Sequence, residues 1–181
     1  MRPSFKRNEI LKVACKLVSE KGASKLTLDA VAKEAGVSKG GLLYHFPTKE
    51  ALIQATLDDF LNRFDSNTEE EASRNTKLNN GWAEAYLIET FEIGKEDLQM
   101  SASILAAAAN SPDLLDPMRE RYIMWQSRMM AECKDPVEAT VARLAADGLF
   151  FCELFGFAPL DEPFRSDVLS YLQTMVKKRE S

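Results

Sequence analysis

The sequence predicts an all-α protein of about nine helices, with a short N-terminal domain followed by a larger C-terminal one. Three observations carry this prediction. Apolar residues recur at spacings of three and four through successive segments. No segment sustains the two-residue alternation of a strand. Cap and turn residues fall between the segments at helical lengths.

The first helix is predicted from about Ser4 to Lys21. Ile10, Val13, Ala14, Leu17 and Val18 form one stripe, and Gly22 stands where a helix ends. Thr27 is a good N-cap for a short second helix carrying Leu28, Val31, Ala32 and Ala35, which Gly36 stops. Ser38 caps a third helix, Lys39 to His45. Pro47 ends it, because the residue before a proline is pushed out of the α region. Thr48 caps a longer fourth helix striped with Ile53, Leu57, Phe60, Leu61 and Phe64. Residues 66–80 are polar and acidic and read as a frayed helix end plus a connector. Helical periodicity resumes over Trp82 to Glu92, Asp97 to Ala109, Pro117 to Cys133, Pro136 to Phe155 and Phe164 to Lys178. Pro112 and Pro117 break the pattern, and each can also start the helix that follows. Val137, Val141, Leu144, Gly148, Phe151 and Phe155 share one face of the penultimate helix.

Composition bounds the function. The 181 residues are 45% hydrophobic and 28% charged, the balance of a globular chain. No apolar run reaches the ~18 to 20 residues of a membrane span; Asp147 and Glu153 interrupt the longest candidate. No secretory signal is expected behind the basic first residues. Cys15, Cys133 and Cys152 are odd in number and widely spaced, which excludes a zinc motif and fits a reducing cytoplasm. With one histidine, His45, there is little room for metal or triad chemistry, and no cofactor or catalytic arrangement is expected. Charge divides along the chain. Residues 1–50 hold ten basic and five acidic residues, net +5; the remainder holds 13 and 23, net −10. A local basic face can neutralise phosphates even on an acidic protein, although the same lysines suit a solvated helix surface.

The specific feature is residues 28–46, LDAVAKEAGVSKGGLLYHF. It reads as helix, tight turn at Gly36-Val37-Ser38, helix. Ala32 permits a close crossing, and Gly36 can take the positive φ that other residues adopt at a cost. This pattern is a helix-turn-helix, whose second helix enters the major groove N-terminus first, or else a plain helical hairpin in a bundle core. Gly40 and Gly41 each cost roughly 1 kcal/mol of helix stability relative to alanine, which close approach of backbone to DNA would offset.

Residues 8–53, with TLDAVAKEAGVSKGGLLYHFPTKEAL, resemble the DNA-binding domain of the TetR family of transcriptional regulators. The resemblance implies a helix-turn-helix domain over residues 1–47 and a helical effector-binding and dimerisation domain over residues 48–181. It further implies a cytoplasmic homodimer, usually a repressor, that binds a palindromic duplex operator and a small-molecule effector, with no membrane role. Position by position, it implies that Thr27 contacts a phosphate and that Ser38, Lys39, Gly40 and Gly41 open the recognition helix. Tyr44 and His45 resemble the family's backbone-contacting pair, and Lys49 its phosphate lysine. Lys39 can reach a guanine O6/N7 or a phosphate, the base being favoured; Leu42 can meet a thymine methyl or the core.

In the C-terminal part, residues 144–150 resemble a penultimate-helix segment of some of these regulators. Ala145, Gly148, Leu154, Leu169 and Leu172 are expected in a four-helix dimer seam. A candidate effector pocket draws on Phe60, Phe64, Trp82, Phe91, Met100, Leu105, Met118, Tyr122, Trp125, Met129 and Phe150, with Glu89, Glu92 and Glu153 as possible counter-charges. Any of these side chains also suits an ordinary core.

Overall fold

The computed structural model describes residues 3–22, 25–74, 81–109 and 111–176, with side chains from Lys6 onward. The described residues form nine α-helices and no strand. They are α1 (Pro3–Lys21), α2 (Leu28–Glu34), α3 (Lys39–His45), α4 (Lys49–Arg74), α5 (Trp82–Phe91), α6 (Lys95–Ala108), α7 (Asp116–Glu132), α8 (Pro136–Phe155) and α9 (Phe164–Met175). A 3₁₀ turn, Pro112–Leu115, leads into α7.

The chain divides into two compact units. The first comprises residues 1–60 and 94–118, hence α1 to α3, the start of α4, and α6. Here α1 packs on α2 and α6, and α2 packs on α3. Ile10, Ala14, Val18, Leu26, Val31, Leu42, Leu52, Met100 and Ile104 are buried, and the Ser103 hydroxyl reaches the Val18 carbonyl at 3.4 Å. The second unit comprises residues 61–93 and 119–181. In it α5 packs against α8 and α9, which also pack on each other.

Several boundaries differ from expectation. Helix α4 continues to Arg74 where a frayed end was expected. Thr68 is fully buried, Arg128 pairs with Glu69, and Glu70 and Arg74 pair at i,i+4, so tertiary and local contacts hold a segment whose composition alone reads as a connector. The expected connector over residues 75–80, the break at Asn110 and the expected end at Lys178 lie outside the described residues. Helix α6 starts at Lys95 rather than Asp97, following Gly94.

Candidate nucleic-acid interface and effector site

The helix-turn-helix is built by local capping. The Thr27 hydroxyl accepts from the Ala30 amide at 3.1 Å and opens α2. Gly36 takes φ +63°, which lets the chain reverse, and the Val37 amide donates to the Ala32 carbonyl at 3.0 Å. The Ser38 hydroxyl accepts from the Gly41 amide at 3.1 Å and opens α3. Thr48 caps α4 in the same way through the Ala51 amide, 3.0 Å. Buried Val31, Ala32, Leu42 and Phe46 hold the two short helices together.

That packing decides which residues of α3 face outward. Ser38, Lys39, Gly40, Gly41 and Tyr44 are exposed, Tyr44 at 80%. His45 is half-buried with its ring edge-on to Tyr44, and Lys49 is half-buried at the start of α4. Leu42 corrects the sequence expectation: it is fully buried, so of the two roles open to it the core takes it. Its neighbour Leu43 is partly exposed instead. A methyl added at Gly40 would meet no protein atom within 4 Å, so internal packing does not require that glycine. A methyl at Gly41 would lie 3.2 Å from the Ser38 hydroxyl that forms the cap. One charged pair sits on this surface: the Lys39 ammonium lies 3.0 Å and 3.1 Å from the two carboxylate oxygens of Asp29 on α2.

In the second unit an aromatic cluster forms around a buried acid. Phe64, Trp82, Tyr86 and Trp125 approach one another with ring centroids 5.0–5.5 Å apart, and Tyr122 joins through Trp125 at 5.1 Å. The Tyr86 hydroxyl donates to Asp147 at 2.7 Å, and Arg143 donates to the other carboxylate oxygen at 2.5 Å. Arg143 also donates to Gln126 (2.6 Å), which donates to Thr140 (2.7 Å). The Arg143 guanidinium lies 5.7 Å from the Tyr122 ring centroid, and that of Arg128 4.7 Å from the Trp82 centroid. Burial pushes the Asp147 carboxyl above its usual range, opposed by the Tyr86 hydroxyl and by Arg143. Burial also raises both tyrosine hydroxyls, with the Asp147 charge adding to the effect.

Of the predicted effector residues, the cluster brings together Phe64, Trp82, Tyr122 and Trp125. Met129 is fully buried, Phe91 stacks under Arg165, and Phe150 meets Phe151 edge-on. Phe60, Met100, Leu105 and Met118 belong to the first unit. That unit also holds a cleft of about 450 Å³ lined by Lys49, Glu50, Ile53, Ser103, Ala106 and Leu114 among others; no predicted effector residue lines it. The acids differ from expectation as well. Glu153 pairs with Arg165 at 2.7 Å, Glu89 accepts from Asn67 at 2.8 Å, and Glu92 is exposed. Among the described residues the buried acids are Asp147 and Glu84, the latter accepting from Gln173 at 3.0 Å. Sequence reasoning passed over Tyr86, Arg143 and Asp147. The available signal was an i,i+4 Arg–Asp pair in the middle of a largely apolar helix.

The expected seam residues divide too. Ala145 and Gly148 are exposed, Leu154 and Leu169 are half-buried, and Leu172 is 5% exposed, buried within the chain itself. The large apolar side chains on the surface of α8 are Val137, Val141, Leu144, Phe151 and Phe155, with Phe157, Phe164 and Tyr171 following.

A capped helix-turn-helix with an exposed second helix, joined to a helical unit that carries a polar-centred aromatic cluster, defines the class: a DNA-binding regulator of transcription. Residues 10–56 match the family described as bacterial regulatory proteins, tetR family, and residues 80–177, more than half of the chain, match the tetracyclin repressor-like C-terminal domain. The chain belongs to the TetR family of transcriptional regulators. The transcriptional regulator BetI of Cronobacter sakazakii is 26% identical over 158 residues, covering 82% of this chain and 75% of that protein. The transcriptional repressor KstR2 of Mycolicibacterium smegmatis is 33% identical over 60 residues, 33% of this chain, and the match spans only 29% of that repressor's length. A regulator from Saccharomonospora viridis, solved in complex with choline, has the same fold, with TM-score 0.72, 19% identity and 96% of each chain covered. Among the described residues no helix is long and apolar enough to cross a membrane.

Proposed function

We infer that the protein is a dimeric, cytoplasmic repressor that leaves its operator when a small effector binds. The observation that carries the DNA-reading half is the exposed face of α3, where Lys39, Gly40 and Tyr44 stand clear of the core on a helix fixed from behind by Leu42. Residues 1–47 form the reading domain in this proposal and residues 48–181 the effector-binding and dimerising part. Thr27, Ser38, Gly41, His45 and Lys49 supply phosphate and backbone contacts, and Lys39 reads a base. The apolar face of α8, with Leu144 at its centre, pairs with its own copy across a two-fold axis. Two recognition helices then enter successive major grooves of a palindromic operator about 34 Å apart.

The effector is proposed to be a flat apolar or cationic molecule held by Phe64, Trp82, Tyr122 and Trp125 near Asp147. Aromatic faces and a buried carboxylate both favour a cation, and the choline complex of the S. viridis regulator agrees with that class. The effector shifts DNA affinity only by its different affinities for the DNA-fitting and non-fitting conformers.

A specific observation favours a second reading, a regulator that dimerises and senses nothing. The rings pack against one another, and Asp147 is fully engaged by Tyr86 and Arg143. A melting-temperature screen against choline, larger quaternary ammonium ions and neutral aromatics separates the two, because a ligand of the folded state raises stability by mass action. An effector must also release a fluorescent duplex from the protein. Absence of any salt-dependent duplex binding by the wild type overturns both readings.

A further inference from the structure

We propose that Asp29 and Lys39 together read one G·C base pair, Lys39 donating to guanine and Asp29 accepting from the cytosine amino group. The proposal rests on the assignment of α3 to the major groove. Lys39 is the first residue of α3, and Asp29 lies in the first turn of α2, ten residues earlier. The Lys39 ammonium lies 3.0 Å and 3.1 Å from the two carboxylate oxygens, with the side chains 59% and 71% exposed. The pair therefore lies open to solvent beside Ser38 and Gly40, and its geometry is set by the caps at Thr27 and Ser38 and by the Gly36 turn between them.

The chemistry distinguishes base from phosphate. A phosphate is a charged acceptor that rewards an unpaired ammonium and repels a carboxylate, so Asp29 weakens phosphate capture by Lys39. A base edge is neutral and rewards direction instead. In the major groove guanine offers the O6 and N7 acceptors, and the paired cytosine offers the N4 amino donor beside them. A lysine donor held next to a carboxylate acceptor is the complement of that pattern. In the same register an A·T pair does not match it: adenine keeps the N7 acceptor but presents its N6 donor where guanine has O6, and thymine presents an acceptor and a methyl where cytosine has its donor. A carboxylate on a phosphate-facing surface costs affinity for every sequence, and this arrangement recovers that cost only at a G·C pair.

The test is selection of duplexes from a random-sequence library by the full chain as wild type, Asp29→Ala and Lys39→Ala, followed by anisotropy titrations on the wild-type consensus and on a random duplex. Melting curves check that each variant folds, and Asp29→Ser, which suits a helix N-terminus, is carried in parallel. The wild type is expected to require G·C at one position of each half-site. Both variants should lose preference at that same position, with discrimination falling roughly 5- to 100-fold. Asp29→Ala should also bind the random duplex about two- to fivefold more tightly, with the slope of log K against log salt steepening by about 0.9 as Lys39 turns to phosphate. The proposal is overturned if Asp29→Ala keeps every base preference and only binds all duplexes more tightly, or if the two variants relax different positions. Loss of all sequence selection by Lys39→Ala, with none by Asp29→Ala, keeps Lys39 as a base reader and removes Asp29. A wild type that enriches no sequence removes the groove assignment itself.

Discussion

Replacing Gly40 with alanine tests the recognition helix most directly, because the structure separates its effects on folding and on binding. Gly40 is the second residue of α3, and an added methyl meets no protein atom within 4 Å. The free protein therefore gains helix propensity without a clash, at most about 1 kcal/mol and less so near a helix end. For a chain of this length that raises the melting temperature by roughly 1 to 3 °C. In the complex the same methyl projects from the exposed face. If the groove meets that backbone closely, the methyl overpacks the contact, at a typical cost of ~1–3 kcal/mol, or about 5- to 150-fold in Kd. The assay is a thermal melt of the free protein beside anisotropy on the selected operator and on a random duplex. The expected result is a more stable protein that binds worse. A raised melting temperature with unchanged operator affinity would refute close approach, and a lowered one would refute the geometry given for α3. Gly41→Ala is the control, since its methyl crowds the Ser38 cap at 3.2 Å and should lower stability instead.

Tyr44→Ala should leave the melting temperature nearly unchanged, because the ring is 80% exposed, while weakening operator and random duplexes alike with no change in salt slope. Leu144→Glu places a charge in the exposed apolar face of α8; analytical ultracentrifugation should show a monomer, and operator affinity should fall with it. Arg143→Met leaves the Asp147 carboxylate buried with only the Tyr86 hydroxyl to offset its charge. Burial raises the Asp147 pKa, so only between its unfolded and folded values does the native state bind more protons than the unfolded chain, and the stability from this group falls as pH rises across that window. Removing Arg143 raises the folded value further. The variant should lose on the order of 3–5 kcal/mol at pH 8 and distinctly less at pH 5, read from denaturant melts; a loss independent of pH would show that Asp147 is not the group left uncompensated.

The reading domain was largely legible because its determinants are local. Thr27, Ser38 and Thr48 cap the amides that their sequence positions indicate, and Gly36 adopts the positive φ that the turn demands. Leu42 was ambiguous until the phase of a seven-residue helix was known, because one residue's rotation separates groove from core. Beyond α3 the information is non-local. The end of α4 depends on Arg128, far along the chain, and the setting of Asp147 depends on Tyr86, 61 residues away. Periodicity placed Val137, Val141, Leu144, Phe151 and Phe155 on one face of α8, but an apolar stripe looks the same whether its partner is the same chain or another. Leu172 shows the converse, an apolar residue whose burial within its own chain no spacing rule reveals.

The mixed charge of the reading surface follows from what a regulator has to optimise. Genomic DNA offers non-specific sites in such excess that the ratio of operator to random affinity matters more than either value. A net charge of −5 limits adhesion of the whole chain, and the +5 carried by residues 1–50 restores it where α3 can use it. Left there, that basic excess would hold any duplex. In the proposal above, Asp29 on Lys39 applies the same restraint at the scale of one side chain, removing attraction that carries no sequence information. On the proposed groove assignment Gly40 works in the same direction, giving up helix propensity for proximity to base edges. Gly40 lowers helix stability in the free protein, and Asp29 in the proposal lowers affinity for DNA of any sequence. On this argument, raising affinity by Asp29→Ala and raising stability by Gly40→Ala should each degrade discrimination, and because Gly40 adjoins the Asp29–Lys39 pair the double variant should depart from the product of the two ratios.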